Sequence, residues 1–429
     1  MTTALKQFSE QTFSSLKVRN YRFYFIGQAF SHAGNWMQVV GLGWLVLQLT
    51  GSGAALGTVL AFRFMPMLLG GPFAGIIVDR FDKRRILYAT QSGFAVVSLA
   101  LGLLVYTDLI QVWMLYISAV TYGLIDVIDN PTRQTFVHEM VGPTNLRNAV
   151  TLNSTEANLA RAIGPMIAGS LIVTVGIAFC FLVNAASFLA LITAVVFINE
   201  KELHREACSE KPDWHLLEST SYAASVPVIR TVLIAMAVIG TLAYEFQVSL
   251  PLLAQTTFAG AAADYAALLS AMGAGSVAGG LFAASRVKVA PHEFVASAFL
   301  FGFSIFVTAI MPTLSLAIVG MVFVGFFSIN LTSLGNTMIQ LAAAPHMRGR
   351  IMSLWSMAMF GSTLIGGPII GLIGQYIGPR WGLALGGVAA MGAAGYAART
   401  LLQTDWVRTV SERVGMQTEE VEVERSSNL

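Results

Sequence analysis

Six ionisable side chains lie inside long apolar runs: Arg63, Asp126, Asp129, Glu156, Arg161 and Glu245. A charge inside a hydrocarbon layer is costly, so such groups face a partner, a water-filled path or a bound molecule. Glu245 stands between Tyr244 and Phe246, where its carboxyl would exchange a proton or hold a substrate; the duller alternative is a broken span that leaves it in water. Glu156 and Arg161 are five residues apart. That is about 140° around an ideal helix, so each needs a different partner. Arg63 reads as a counter-ion for a carboxylate across a cavity, as a seat for an anionic substrate, or as half of a structural ion pair between two helices. Asn35, Gln38, Asn153 and Asn158 either line a polar cavity or bridge helices. Trp36, Trp44, Tyr122 and Phe246 would give that cavity an apolar lining. Asp126 and Asp129 sit one turn apart, ahead of Pro131, which is expected to end its helix.

The elements that must hold these residues are membrane spans. Of 429 residues, 55% are hydrophobic and 11% charged, against about 25% charged in soluble domains. A water-soluble surface cannot be built from that, and the mean hydropathy is +0.68. Apolar runs occupy 22–49, 54–78, 86–106, 110–129, 148–175, 177–198, 231–253, 265–284, 294–310, 314–341, 351–377 and 381–402, most of them long enough to cross a bilayer. The fold class is therefore an all-α membrane protein of twelve transmembrane helices. The polar stretch after Asn199 divides them into sixes: a segment 1–19, a first bundle 20–199, a linker 200–226, a second bundle 227–403 and an acidic tail 404–429 expected to be disordered. A short surface helix is predicted within the linker, around residues 218–226.

Basic residues set the orientation. Lys6, Lys17, Arg19 and Arg22 precede the first run; Arg80, Lys83, Arg84 and Arg85 follow the second; Arg133 and Arg147 lie between the fourth and fifth. Lys201, Arg205, Lys211 and Arg230 occupy the linker, and Arg286, Lys288, Arg348, Arg350, Arg399, Arg408, Arg413 and Arg425 continue the series. All fall on one side, while the opposite loops hold only Arg380. Both termini are thus expected in the cytoplasm. The polar start and the long first run predict an uncleaved first span that serves as the insertion signal.

An internal repeat supports the halving. Arg147 precedes Gly164-Pro165 at the same spacing as Arg350 precedes Gly367-Pro368, with Ala168 and Gly371 in matching places. Repeats of this kind are expected in transporters whose halves rock about a midplane site.

The order Gly75, Asp79, Arg80, Lys83, Arg84, Arg85 resembles the signature G-x-x-x-D-R-x-G-R-R/K between the second and third helices of the major facilitator superfamily, with Asp82 where that pattern has glycine. Residues 160–169 are similar to the fifth-helix G-x-x-x-G-P-x-x-G-G pattern of its antiporters, with Ala160 and Ala168 replacing two glycines. Segments 34–38, 129–134 and 148–153 resemble the bacterial drug and siderophore exporters grouped with the enterobactin exporter and the macrolide efflux proteins. The resemblance implies two six-helix bundles and a gate in which Asp79, Lys83 and one of Asp126 and Asp129 lock the cytoplasmic face. Gly75, Arg80, Arg84, Gly164, Pro165, Gly367 and Pro368 would belong to the same gating machinery. Proton-linked relatives often carry an arginine in an R-x-x-x-G context in the fourth span. Here Ala119 precedes Gly123, so proton coupling is what the family implies rather than what these residues demand.

The expected function is export of an amphipathic small molecule, of the drug or siderophore class, across a bacterial cytoplasmic membrane by alternating access with proton antiport. Asn35, Gln38, Arg63, Glu156, Arg161 and Glu245 are the candidates for binding substrate or proton. Uptake or facilitated diffusion of a polar nutrient, and a non-transporting sensor or assembly partner, are the alternatives. The partners implied are the substrate, protons and the lipid bilayer, with the protein acting as a monomer. A net charge of +2 gives no ground for nucleic acid. Cys180 and Cys208 lack metal or redox spacing, His138-Glu139 lacks a second histidine, and there is no phosphate-binding loop. Neither a metal, a cofactor nor an enzymatic activity is therefore expected. Gly273-Ala-Gly275-Ser-Val-Ala278 fits a loose dinucleotide pattern but lies within a span, where helix contact through Gly275 and Gly279 is the expected role.

Overall fold

In the computed structural model the described residues are 13–204, 216–286, 289–344 and 347–403, with the side chains of all of these except 72–76, 79, 216 and 217. The expectations placed on the side chains of Gly75 and Asp79, on Lys6, Arg205, Cys208, Lys211 and Lys288, and on the tail 404–429 lie outside the described residues.

The first three helices have local reasons to begin and end where they do. α1 (Arg19–Thr50) stops at Gly51, whose φ of 59° is left-handed. α2 (Gly53–Arg80) starts at Ser52, whose Oγ accepts from the Ala55 amide at 3.1 Å. α3 (Lys83–Tyr106) starts at Asp82, which accepts from the Arg85 amide at 3.1 Å. The fourth helix, α4 (Val112–Thr174), is 63 residues long, roughly 95 Å at the α-helical rise, three times a bilayer core. It breaks at Gly142 (φ 65°, ψ 178°), so its arms, 112–141 and 143–174, are the fourth and fifth spans. Pro131 does not end the helix as expected. Around it the Thr132 and Thr135 hydroxyls donate to the carbonyls of Ile128 and Pro131 at 2.6 and 3.0 Å.

α5 (Ala178–Val196) completes the first half, and α6 (Leu216–Ser225) is the predicted short helix of the linker. The seventh span is in two pieces, α7 (Pro227–Leu242) and α8 (Phe246–Leu252). α9 (Ala262–Ala284), α10 (Pro291–Ile310) and α11 (Leu314–Ala342) follow. The eleventh span is also divided: α12 (Arg348–Ser356), a π-helical turn Met357–Gly361 and α13 (Thr363–Tyr376). α14 (Pro379–Leu401) is the last. Ten of these stretches are long and apolar enough to cross a membrane. The remaining two spans come from α1, which carries Gln28, His32, Asn35 and Gln38 along its course, and from the division of α4 at Gly142.

Packing groups the spans into two bundles. α1 packs on α4 and α5, α2 on α4, and α3 on α5; in the second half α9 packs on α11, α10 on α11 and α14, and α7 on α14. Glycine permits the closest approaches, as it must where lipid supplies no hydrophobic drive between helices. A Cβ on Gly275 would lie 1.9 Å from the Val322 carbonyl oxygen, and one on Gly325 1.9 Å from that of Met272. The glycines of the loose dinucleotide pattern are thus helix contacts. The two Gly-Pro pairs seat differently. Gly164 faces Trp36 and Ala33 of α1 in its own half, while Gly367 faces Gly57 of α2 across the halves; it is the preceding Gly366 that faces the Thr241 carbonyl of α7.

The halves meet along α2 with α13 and along the second arm of α4 with α9. Gly53 and Gly57 cross Gly371 and Gly367 so closely that a Cβ on Gly57 would stand 2.2 Å from the Gly367 oxygen. The Ser52 hydroxyl donates to Gln375 Oε1 at 2.8 Å across the same junction. This contact lies at the end remote from the basic residues, beside loop 50–53.

Candidate functional site: a cavity between the halves

Between the bundles is a cavity of about 480 Å³. The first half contributes Trp36, Leu60, Phe64 and Arg161. The second contributes Tyr244, Glu245 and Phe246 from the broken seventh span, and Trp355, Phe360 and Thr363 from the eleventh. Of the six predicted binding residues, Arg161 and Glu245 line it; of the four aromatics, Trp36 and Phe246 do.

Glu245 is placed by the break at 243–245. It is 3% exposed, and it shares the cavity wall with Thr363, the first residue of α13. Its Oε1 has no partner among the described residues. Space for that oxygen depends on Gly366, whose added Cβ would approach Oε1 to 2.9 Å. The neighbouring Tyr244 is fixed on both sides. Its hydroxyl is 2.9 Å from Ser328 Oγ and its ring stacks on Phe301 at 5.1 Å.

Arg161 and Glu156 do not pair with each other; each finds its own partner on α1. The Arg161 guanidinium lies over the Trp36 ring at 5.1 Å. One turn nearer the basic end, Glu156 Oε2 meets His32 Nδ1 at 2.8 Å, with Gln28 Nε2 donating at 3.4 Å. The two pairs form successive rungs between the first and fifth spans. The upper rung lines the cavity. The lower is buried at its carboxylate end, 5% exposed, and open at its imidazole end, 26% exposed. Arg161 Nε and Glu156 Oε1 have no hydrogen-bond partner among the described residues.

Polar stripes run from the cavity toward the basic end. On the fifth span, Ser154, Asn158 and Arg161 recur at helical spacing, flanked by exposed Thr151 and Thr155. On α11, Ser328, Thr332, Ser333, Asn336 and Thr337 share the cavity-facing side.

The other candidates lie elsewhere in the first bundle. Arg63 rests on the Tyr122 ring at 4.6 Å and interacts electrostatically with Asp126, while the Tyr122 hydroxyl donates to Asn35 Oδ1 at 2.7 Å. Gln38 Oε1 accepts from Ser98 and Asn184, both at 2.7 Å, which ties α1 to α3 and α5. Asp129 accepts from Thr90 and Gln91 at 2.6 Å and pairs with Arg133 at 2.5 Å. Trp44 is packed in the core.

At the basic end, Lys83 takes Glu139 as its partner at 2.7 Å rather than either aspartate. Arg84 donates to the Val195 and Val196 carbonyls at 3.1 and 3.0 Å, closing the C-terminus of α5, and pairs with Glu200. Arg80 is exposed at the end of α2. Asp82, the departure from the family pattern, is the α3 N-cap. Because glycine is also a fair cap, Asp82→Gly should lower stability by only a few tenths of a kcal/mol and Asp82→Ala by about 1 kcal/mol. Thermal unfolding of the purified variants will show whether that order holds.

Sequence reasoning missed His32, Tyr244, Thr363 and the α11 stripe as residues of the candidate site, and Glu139 as the partner of Lys83. Only the α11 stripe had a local signal, its helical spacing of hydroxyl and amide residues.

A central cavity between two helical halves, with the charged groups inside the spans facing it or held in polar seams of the bundles, is the arrangement of a multi-pass membrane transporter. The chain belongs to the transmembrane secretion effector family of the major facilitator superfamily, which its residues 10–426 match. It is 24% identical over 338 residues to the staphyloferrin A transporter of Staphylococcus aureus, spanning 78% of this chain and 84% of that one. Identity to the multidrug efflux pump Tap of Mycolicibacterium fortuitum is 25% over 344 residues, 78% of this chain and 84% of that one. The fold is similar to that of a bacterial homolog of the human lysosomal transporter Spinster, with a TM-score of 0.69 and 14% identity over 90% of this chain and 98% of that one. The resemblance to bacterial drug and siderophore exporters therefore holds.

Proposed function

We propose that the protein exports an amphipathic small molecule from the bacterial cytoplasm by alternating access, in exchange for protons. The observation that carries this reading is the cavity shared by the halves, faced by Arg161 from one and Glu245 from the other. The positive-inside rule puts the basic end, and with it both termini, in the cytoplasm. The polar stripes of the fifth and tenth spans then lead cargo inward from that side, while the glycine junction of α2 and α13 closes the other. Glu156, reached through His32, is the proton site. The segment from Gly75 to Arg84 and the Gly-Pro turns at 164–165 and 367–368 are the gate and its hinges. The names borne by the relatives, a staphyloferrin A transporter and a multidrug efflux pump, support a cargo of this general kind.

The test is flux in proteoliposomes with an imposed pH gradient and a panel of amphipathic compounds. At least one should move against its own gradient, and a protonophore should stop it. Flux that ignores the pH gradient, or movement only down the cargo gradient, would reject the reading.

A further inference from the structure

We propose that the cargo is a zwitterionic amphiphile, with a carboxylate seated on Arg161 and a protonated amine seated on Glu245, joined by an apolar or aromatic body. The inference deepens the export reading and rests on it.

The two charges come from opposite halves and do not neutralise each other. Arg161 has the Trp36 face and Tyr244 as its neighbours, and Glu245 has Thr363. Each keeps a buried polar atom without a partner among the described residues, Arg161 Nε and Glu245 Oε1. A buried, unpaired charge is strongly destabilising, and a molecule that supplies the complement removes that cost. The chemistry of each pole selects its ligand. A guanidinium backed by an aromatic face presents a planar fork matched to a carboxylate, whereas a carboxylate with an open oxygen accepts from an ammonium.

The walls describe what lies between the poles. Leu60, Phe64, Met272, Ile329 and Phe360 are apolar, and the α11 hydroxyl and amide stripe runs along one side. A lipophilic cation would satisfy Glu245 but leave Arg161 unpaired beside it. A simple anion would do the reverse.

The experiment measures binding to the full-length protein in detergent by calorimetry for four naphthyl compounds: naphthylalanine, naphthylethylamine, naphthylpropionate and naphthylpropanol. Naphthylalanine should bind at least about tenfold tighter than any of the others. Arg161→Gln should bring naphthylalanine down to the affinity of naphthylethylamine while leaving the amine's own affinity unchanged or raised. Glu245→Gln should bring it down to that of naphthylpropionate, and Arg161→Lys should restore part of the preference. Monodispersity in size-exclusion chromatography checks that each variant is folded. Equal binding of the cation and the zwitterion, or failure of all four to bind, overturns the proposal. So does a preference that Arg161→Gln leaves intact. Flux of the same compounds separates the two readings. Gradient-driven export of the amine alone rejects the zwitterion and keeps export, whereas tight zwitterion binding without driven flux rejects export and keeps the charge assignment.

Discussion

Glu156→Gln is expected to abolish pH-driven accumulation of cargo, by about 100-fold or more, while exchange of cargo across equal concentrations stays within a factor of about two of the wild type. The reason lies in the two rungs between the first and fifth spans. His32 and Glu156 meet at 2.8 Å, four and five residues before Trp36 and Arg161 on the same two helices. An imidazole and a carboxylate in contact hold either one proton or two, and the difference is a full charge in a bundle interior. Gln28 on α1 and, more distantly, Tyr21 and Tyr24 face that charge, while Asp126 faces His32 from the first arm of α4. None of these is a second carboxylate in hydrogen-bond contact with the pair, which is what would cancel an added positive charge. A change of charge at this pair is expected to act on the α1–α4 seam, and the next rung along that seam is the Trp36–Arg161 wall of the cavity. Glutamine keeps the shape and the hydrogen bond from Gln28 but fixes the charge. His32→Gln should give the same uncoupled phenotype with a smaller loss, since the imidazole is the exposed end of the pair. Pyranine-loaded vesicles would report the proton movement directly. Intact proton-driven uptake in Glu156→Gln, or equal loss of driven and exchange flux, would remove the pair from coupling and leave it a structural contact.

What the sequence discloses of this molecule follows the range of the interactions involved. Spans are legible because a lipid-exposed helix must be apolar along its length, and Gly275 was recognisable as a helix contact because glycine in a span has few other uses. Glu245 and Arg161 stood out because a charge within an apolar run needs a reason. Their partners did not stand out. His32 reaches Glu156 across 124 residues of chain, and an isolated histidine in a polar stretch of helix carries no sign of that. Lys83 illustrates the same limit. The family pattern points toward the aspartates of the fourth span, yet α4 continues through Pro131 and brings Glu139 to the lysine instead. The proline was misleading because the helix runs on through it to Gly142, where the backbone does break. Gln38 had two readings in the sequence, cavity lining or helix bridge, and only long-range contacts decide between them: it is a bridge among three helices.

Gly57→Leu is the substitution expected to stop transport with the protein still inserted. At the end remote from the basic residues, α2 and α13 meet backbone to backbone where Gly53 and Gly57 cross Gly371 and Gly367. A Cβ on Gly57 would meet the Gly367 carbonyl oxygen at 2.2 Å and its carbon at 2.6 Å, and one on Gly371 would meet the Gly53 oxygen at 2.2 Å. Every clashing atom is backbone, so no rotamer can yield, and the helices themselves must part. Separation would also break the bonds from Ser52 and the Ala54 amide to Gln375, at 2.8 and 3.1 Å. Because these contacts join the halves rather than holding either bundle together, the variant should fold and lose only the state in which this end is closed. A transporter confined to one side of its cycle carries nothing uphill, and the expected loss of flux is about 100-fold or more, the effect of disfavouring one state by ~3 kcal/mol. Cysteines introduced at Ser52 and Gln375 should be joined by a short bifunctional reagent in the otherwise unaltered protein and escape it in Gly57→Leu. Gly57→Ala should fall between the two, since a single methyl displaces the helices less. Wild-type flux in Gly57→Leu, or undiminished cross-linking across the junction, would mean that the close crossing of α2 and α13 is incidental to the transport cycle.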